Sequence, residues 1–81
     1  MERIIDKEIA ENIVKGNKIK AIKLLRERGL PFAVAHKIVM ELSIIIKTER
    51  IKEVNEEIIS RLNQEINEEK ERLFSPVGTT I

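Results

Sequence analysis

The chain has 81 residues, 42% of them apolar and 36% charged, with 15 basic against 14 acidic side chains. A chain this short makes one domain and buries only about two thirds of the surface its unfolded form exposes, so self-association would help it. Phe32 and Phe74 are the only aromatics and cysteine is absent. That excludes disulfides, thiolate nucleophiles and Cys-bound zinc, leaves little for base stacking, and suits a reducing compartment.

From Glu2 to Val14, Ile4, Ile5, Ile9, Ile13 and Val14 recur at three- and four-residue steps, which predicts a first helix over about 2–15. Gly16-Asn17 reads as a corner: the glycine takes the left-handed conformation that closes a helix, and asparagine caps the next. Ile19, Ile22 and Leu25, widened by Ala21 and Leu24, define a second helix over about 18–28. Gly29-Leu30-Pro31 ends it, and proline at a first helical position loses only an amide that had no partner. A third helix, about 31–47, is apolar on nearly every side and should be a central one, surrounded by the others.

After Lys47 a charged segment carries a stripe of Ile51, Val54, Ile58, Leu62 and Ile66, as expected of an amphipathic helix over about 48–74. Glycine and proline are absent between Pro31 and Pro76. The favoured reading is therefore one unbroken helix from Phe32 to Phe74, roughly 60 Å long at 1.5 Å per residue. The competing reading breaks it near Thr48, with Thr48 as the cap of a fourth helix. The stripe drifts from a strict heptad, which favours packing on its own chain or in an antiparallel dimer over a parallel coiled coil. The expected architecture is all-α: a small three- or four-helix bundle over 1–74 with a long C-terminal amphipathic helix, followed by a flexible tail, 75–81.

No signal-peptide pattern opens the sequence. The longest apolar stretch, Leu30 to Ile46, carries His36, Lys37 and Glu41 and falls short of the roughly 20 residues of a membrane-spanning helix. A cytoplasmic protein with no membrane span is the expectation.

Catalytic residues are not expected. His36 is the sole histidine and has no Cys, Asp or Glu at ligand spacing on its helix face, so no metal or other cofactor is implied. Ser43, Ser60, Ser75 and the threonines lack an assignable base, and the acid pairs Glu56-Glu57 and Glu68-Glu69 read as solvated surface. The charge distribution says more. Between Lys15 and Lys37 seven basic residues face Glu27 alone, whereas Glu41 to Glu71 holds nine acids and five bases. The second helix therefore offers a basic outer face to an acidic protein surface or a phosphate backbone, unless it pairs with the acidic helix of its own chain or of a twin.

The stretch Lys15-Gly16-Asn17-Lys18-Ile19-Lys20-Ala21-Ile22-Lys23-Leu24-Leu25-Arg26-Glu27, followed by Gly29-Leu30, Ala35 and Ile38-Val39, resembles the helical hairpin of the C-terminal domain of the bacterial ribosomal stalk protein. It is similar also to short bacterial stalk-like proteins and, more distantly, to the ubiquitin-associated-like N-terminal module of elongation factor Ts. The likeness spans residues 16–39. In the stalk family the hairpin binds translation factors, and the resemblance implies that Lys18, Ile22, Lys23 and Arg26 meet the partner. Pro31 stands where the family has an extra residue and a second glycine, and His36 stands where it has a lysine. The resemblance implies a helical docking module rather than a ribosomal component.

The function expected is thus a non-catalytic protein–protein interaction or regulatory module, a small adaptor of bacterial or phage type, docking another protein through Lys18, Ile22, Lys23, Arg26 and His36 and self-associating. The alternative is a helix-turn-helix nucleic-acid-binding protein. Against it, the first turns of the third helix offer only His36 and Lys37 as readers of base edges.

Overall fold

A computed structural model describes residues 3–74. Among them lie five helices and no strand: α1 (Lys7–Lys15), α2 (Lys18–Glu27), α3 (Phe32–Thr48), α4 (Glu56–Glu68) and α5 (Lys70–Phe74). The all-α expectation holds. The long C-terminal helix does not exist, and the longest dimension of the molecule is 39 Å, well short of the length that helix would need. The tail expected at 75–81 lies outside the described residues.

The same device ends each of the first three helices. At Gly16 the amide of Asn17 bonds the Asn12 carbonyl at 2.8 Å, and that of Gly16 bonds Ile13 at 3.1 Å. At Gly29 the amides of Leu30 and Gly29 bond Leu25 and Arg26. At Arg50 the amides of Ile51 and Arg50 bond Ile46 and Lys47. Each is a Schellman turn, with a left-handed residue just past the helix and the last carbonyls satisfied by the chain that follows. Gly16 and Gly29 have φ of 85° and 97°, whereas at the third turn an arginine, Arg50, takes φ 56°. A side chain in that conformation costs about 1–2 kcal/mol. The turn persists because it also seats Ile51, next to Ile46 in the capping pattern, against the core.

The favoured continuity past Lys47 fails for this reason, and the competing break near Thr48 is right in position but not in detail. Thr48 is the last residue of α3. The cap of α4 is Asn55, whose side chain accepts from the Ile58 amide at 2.9 Å, after a non-helical link at 49–55. Ile51 and Val54 therefore sit in that link, and only Ile58, Leu62 and Ile66 of the stripe are helical. Leu62 and Ile66 are buried within the chain, together with Ile59 and Leu73, while Ile51, Val54 and Ile58 pack half-buried on the same core.

The N-terminus differs as well. Arg3 to Asp6 are not helical. Asp6 caps α1 by accepting from the Ile9 amide at 2.9 Å, and the preceding residues run along α4. Asn63, the one buried polar residue described, holds them there: its Oδ1 accepts from the Ile4 and Ile5 amides, both at 2.9 Å, and its Nδ2 donates to the carbonyls of Ile5 and Ile59 at 2.9 and 2.8 Å. All four hydrogen-bonding positions of the amide are used. Ile5 is thereby driven fully into the core, beside Ile9 and the inner faces of the other helices.

α3 runs through this core, burying Ala35, Ile38, Val39, Leu42 and Ile46. It is not surrounded. α1 and α2 pack on one flank and α5 on another, leaving a face on which Phe32 is 54%, Met40 38% and Ile44 59% exposed. The enclosed position expected from the composition of this helix is thus corrected: the other helices bury one side of it and leave the row of Phe32, Met40 and Ile44 open.

Candidate docking surface

α2 turns Ala21 and Leu25 inward, both fully buried. Helical geometry then places Ile19, Lys23 and Arg26 on outer positions and leaves Ile22 half-buried at the edge of the core, with Ile19 at 85% exposure the most exposed large apolar side chain described. The Gly29 turn and Pro31 bring the first turn of α3 alongside. Ile19, Ile22, Lys23, Arg26, Glu27 and Phe32 line a shallow groove of about 400 Å³. The Arg26 guanidinium lies 5.9 Å from the centre of the Phe32 ring, and the His36 ring stacks on the same phenylalanine at 5.8 Å with an interplanar angle of 28°. A cation over an exposed ring is worth about 0.5–1 kcal/mol, enough to bias how both side chains stand.

From Phe32 the surface continues in steps of one turn through His36, Met40 and Ile44. A second groove, about 310 Å³, runs between this row and Arg72 and Leu73 of α5. Arg72 donates to Glu41 at 2.8 Å at its edge. Hydrogen bonds donated to Glu41 and Glu69 raise the Arg72 pKa, so the arginine is held charged.

Of the residues expected to meet a partner, the structure brings Ile22, Lys23 and Arg26 together, and His36 joins them through Phe32. Lys18 does not join them. It lines a different cleft at the other end of α2, with Lys15 and Lys47. Sequence reasoning missed Phe32, Met40 and Ile44 as surface residues because it placed them in the core. The signal was the histidine: His36 sits in the same four-residue row as all three, and a row holding an imidazole is poorly suited to a helix's buried side.

The charges sort in an informative way. The ion pairs of the described residues are all made by arginines: Arg3 with Glu56, Arg28 with Asp6, Arg61 with Glu49 and Glu65, and Arg72 with Glu41 and Glu69. Arg61 reaches Glu49 at 2.7 Å and, chiefly through this hydrogen bonding, holds the Glu49 carboxyl below its ordinary range. Lys15, Lys18, Lys20, Lys23, Arg26 and Lys37 take part in none of these pairs. Among the described residues the acidic helix therefore makes no ion pair with the basic hairpin, of whose cations only Arg28 is engaged, by Asp6.

No group of three or more His, Cys, Asp or Glu side chains able to hold a metal occurs among the described residues, and no helix among them is long and apolar enough to cross a membrane. No protein-family model matches the chain, and no curated protein and no solved structure is found similar to it.

Proposed function

We propose that the chain is a non-catalytic docking module whose α2–α3 face receives an amphipathic segment of a partner protein, apolar along one side and acidic beside it. One observation carries this reading: an exposed apolar row, Ile19, Phe32, Met40 and Ile44, runs beside Lys23, Arg26 and Lys37, cations that form no ion pair among the described residues. Contiguous exposed apolar groups on a small protein mark an interaction surface. The unpaired cations bordering them call for carboxylates and would steer association over a Debye length of about 8 Å at physiological salt. The likeness of residues 16–39 to the stalk-protein hairpin points the same way.

The nucleic-acid reading draws support from the same unpaired cations. Yet the N-terminal turns of α3 expose Pro31, Phe32, Ala33 and His36, and of these only the histidine can read a base edge. Self-association belongs to this proposal through the α3 face, since the α4 stripe packs inside the chain.

Comparative affinity capture tests the reading. The wild-type chain, Phe32→Asp and Lys23→Glu/Arg26→Glu are each presented to extract of the native host, with duplex DNA binding measured in parallel. The expected result is a protein retained by wild type and lost from both variants, with a matching acidic amphipathic segment. Capture that ignores both variants, or DNA binding that falls steeply with salt and disappears in Lys23→Glu/Arg26→Glu, contradicts it.

A further inference from the structure

At the end of the molecule away from Phe32, the Gly16 corner between α1 and α2 meets the turn that closes α3. The cleft between them, about 730 Å³, is bordered by five cations, Lys15, Lys18, Lys47, Arg50 and Lys52, and by no acidic side chain. None of the five belongs to an ion pair among the described residues. Two acids flank Arg50 and Lys52 in sequence: Glu49 is turned to Arg61 instead, and Glu53 does not line the cleft. Five like charges gathered from two separate segments oppose folding by mutual repulsion, and a bound polyanion would remove that opposition.

Three further features belong to the same place. The cleft is apolar beneath the cations, where Ile13, Ile46 and Ile51 line it. Ser43 also lines it, and its hydroxyl is buried without a hydrogen-bond partner among the described residues. Above all, Arg50 occupies the left-handed position that glycine fills at the other two Schellman turns. A strained residue kept where glycine would adopt the same φ without strain directs attention to what it does, and here that residue is an arginine lining a basic cleft. The first amides of α2 open nearby, because Asn17 makes no side-chain cap there and donates to Asn12.

We propose that this cleft binds a ligand carrying several phosphate groups. The cation count suits clustered phosphates rather than one carboxylate, and an arginine fork with four lysines offers charge-assisted hydrogen bonds to many oxygens at once. Two sources share this chemistry, a free polyphosphate such as a nucleotide and a phosphorylated lipid headgroup. The site is separate from the α2–α3 face and stands without it.

Thermal melting of the full chain tests it, with sodium tripolyphosphate as the probe and sodium chloride at equal ionic strength as the reference. A bound ligand at tenfold excess over its Kd raises Tm by roughly 5–10 °C for a domain of this size. The variant Lys47→Gln/Arg50→Gly/Lys52→Gln keeps the turn, since glycine adopts its φ, and its own melt without ligand reports that it folds. It is expected to bind at least tenfold more weakly, whereas Lys23→Gln/Arg26→Gln is expected to respond like wild type. Tighter binding of adenosine triphosphate assigns the free-nucleotide source, and sedimentation with vesicles containing phosphatidylinositol bisphosphate assigns the headgroup; either upholds the proposal. It is overturned if tripolyphosphate does no more than chloride, if the triple variant responds as wild type does, or if duplex DNA binds here and tripolyphosphate does not.

Discussion

Replacing Asn63 by alanine removes one small side chain and unties the N-terminal segment from α4. The Ile5 amide and carbonyl lose their partner in a buried setting, since Ile5 is 0% exposed. An orphaned buried polar group costs about 1–3 kcal/mol, so the two together cost about 2–6 kcal/mol; the half-buried Ile4 amide can turn to water and adds little. A domain of 81 residues holds roughly 4–12 kcal/mol in total, so Asn63→Ala removes a large share of it. With a urea m-value of about 1 kcal/mol/M, the unfolding midpoint followed by helical circular dichroism should fall by roughly 2–6 M, or to the point where no folded baseline is left. Hydrogen exchange at the Ile5 amide locates the effect. A loss under about 0.5 kcal/mol, with Ile5 still protected, would show that Asn63 does not hold the N-terminal segment on α4.

Other substitutions read other parts of the fold. Arg50→Gly is expected to be neutral to about 1 kcal/mol stabilising in chemical denaturation, since relief of the left-handed strain outweighs the added freedom of the unfolded chain, whereas Arg50→Val should destabilise by more than 1 kcal/mol. Asp6→Ala and Asn55→Ala each remove a helix cap at a cost of about 1 kcal/mol, and the double variant should lose about the sum. Ile38→Ala, in the buried face of α3, should cost about 2–5 kcal/mol, against about 1 kcal/mol or less for Phe32→Ser on the open face, where the contact with Arg26 is the main loss. Carboxyl NMR titration should place Glu49 below its ordinary pKa of 4.5, and Arg61→Gln should return it. Because the folded value is depressed, the contribution of this pair is complete above the unfolded pKa and fades as pH falls through the folded one. Both side chains are about two-fifths exposed, so the acid-side loss is small.

The sequence yields the helical class, the Gly16 corner and the Gly29-Pro31 turn, because glycine and proline act through local backbone sterics alone. It conceals the turn at Arg50 for the same reason in reverse. A left-handed arginine has no local signature, and the turn is held by the burial of Ile51, which only tertiary contacts supply. Asn55-Glu56-Glu57 does carry a start signal, a capping side chain followed by acids in the first turn, but the apolar stripe of Ile51, Val54 and Ile58 runs through it at helical spacing and masks it. The N-terminal segment misleads similarly: Ile4 and Ile5 fit the helical period of Ile9 and Ile13, and nothing local reveals that Asn63, far along the chain, takes their backbone into its own hydrogen bonds. The basic hairpin was legible in Ile22, Lys23 and Arg26. Its apolar half was not, because exposure of Phe32, Met40 and Ile44 depends on how little the neighbouring helices can cover.

The most direct test of the α2–α3 face is an amide NMR titration of the intact chain with a synthetic amphipathic helical peptide bearing leucines on one side and glutamates beside them. Saturable shifts centred on Ile19, Lys23, Arg26, Phe32 and His36, abolished in Phe32→Asp, are the predicted result. Absence of any saturable shift, or shifts confined to the Lys15 and Lys52 end of the molecule, would contradict the account.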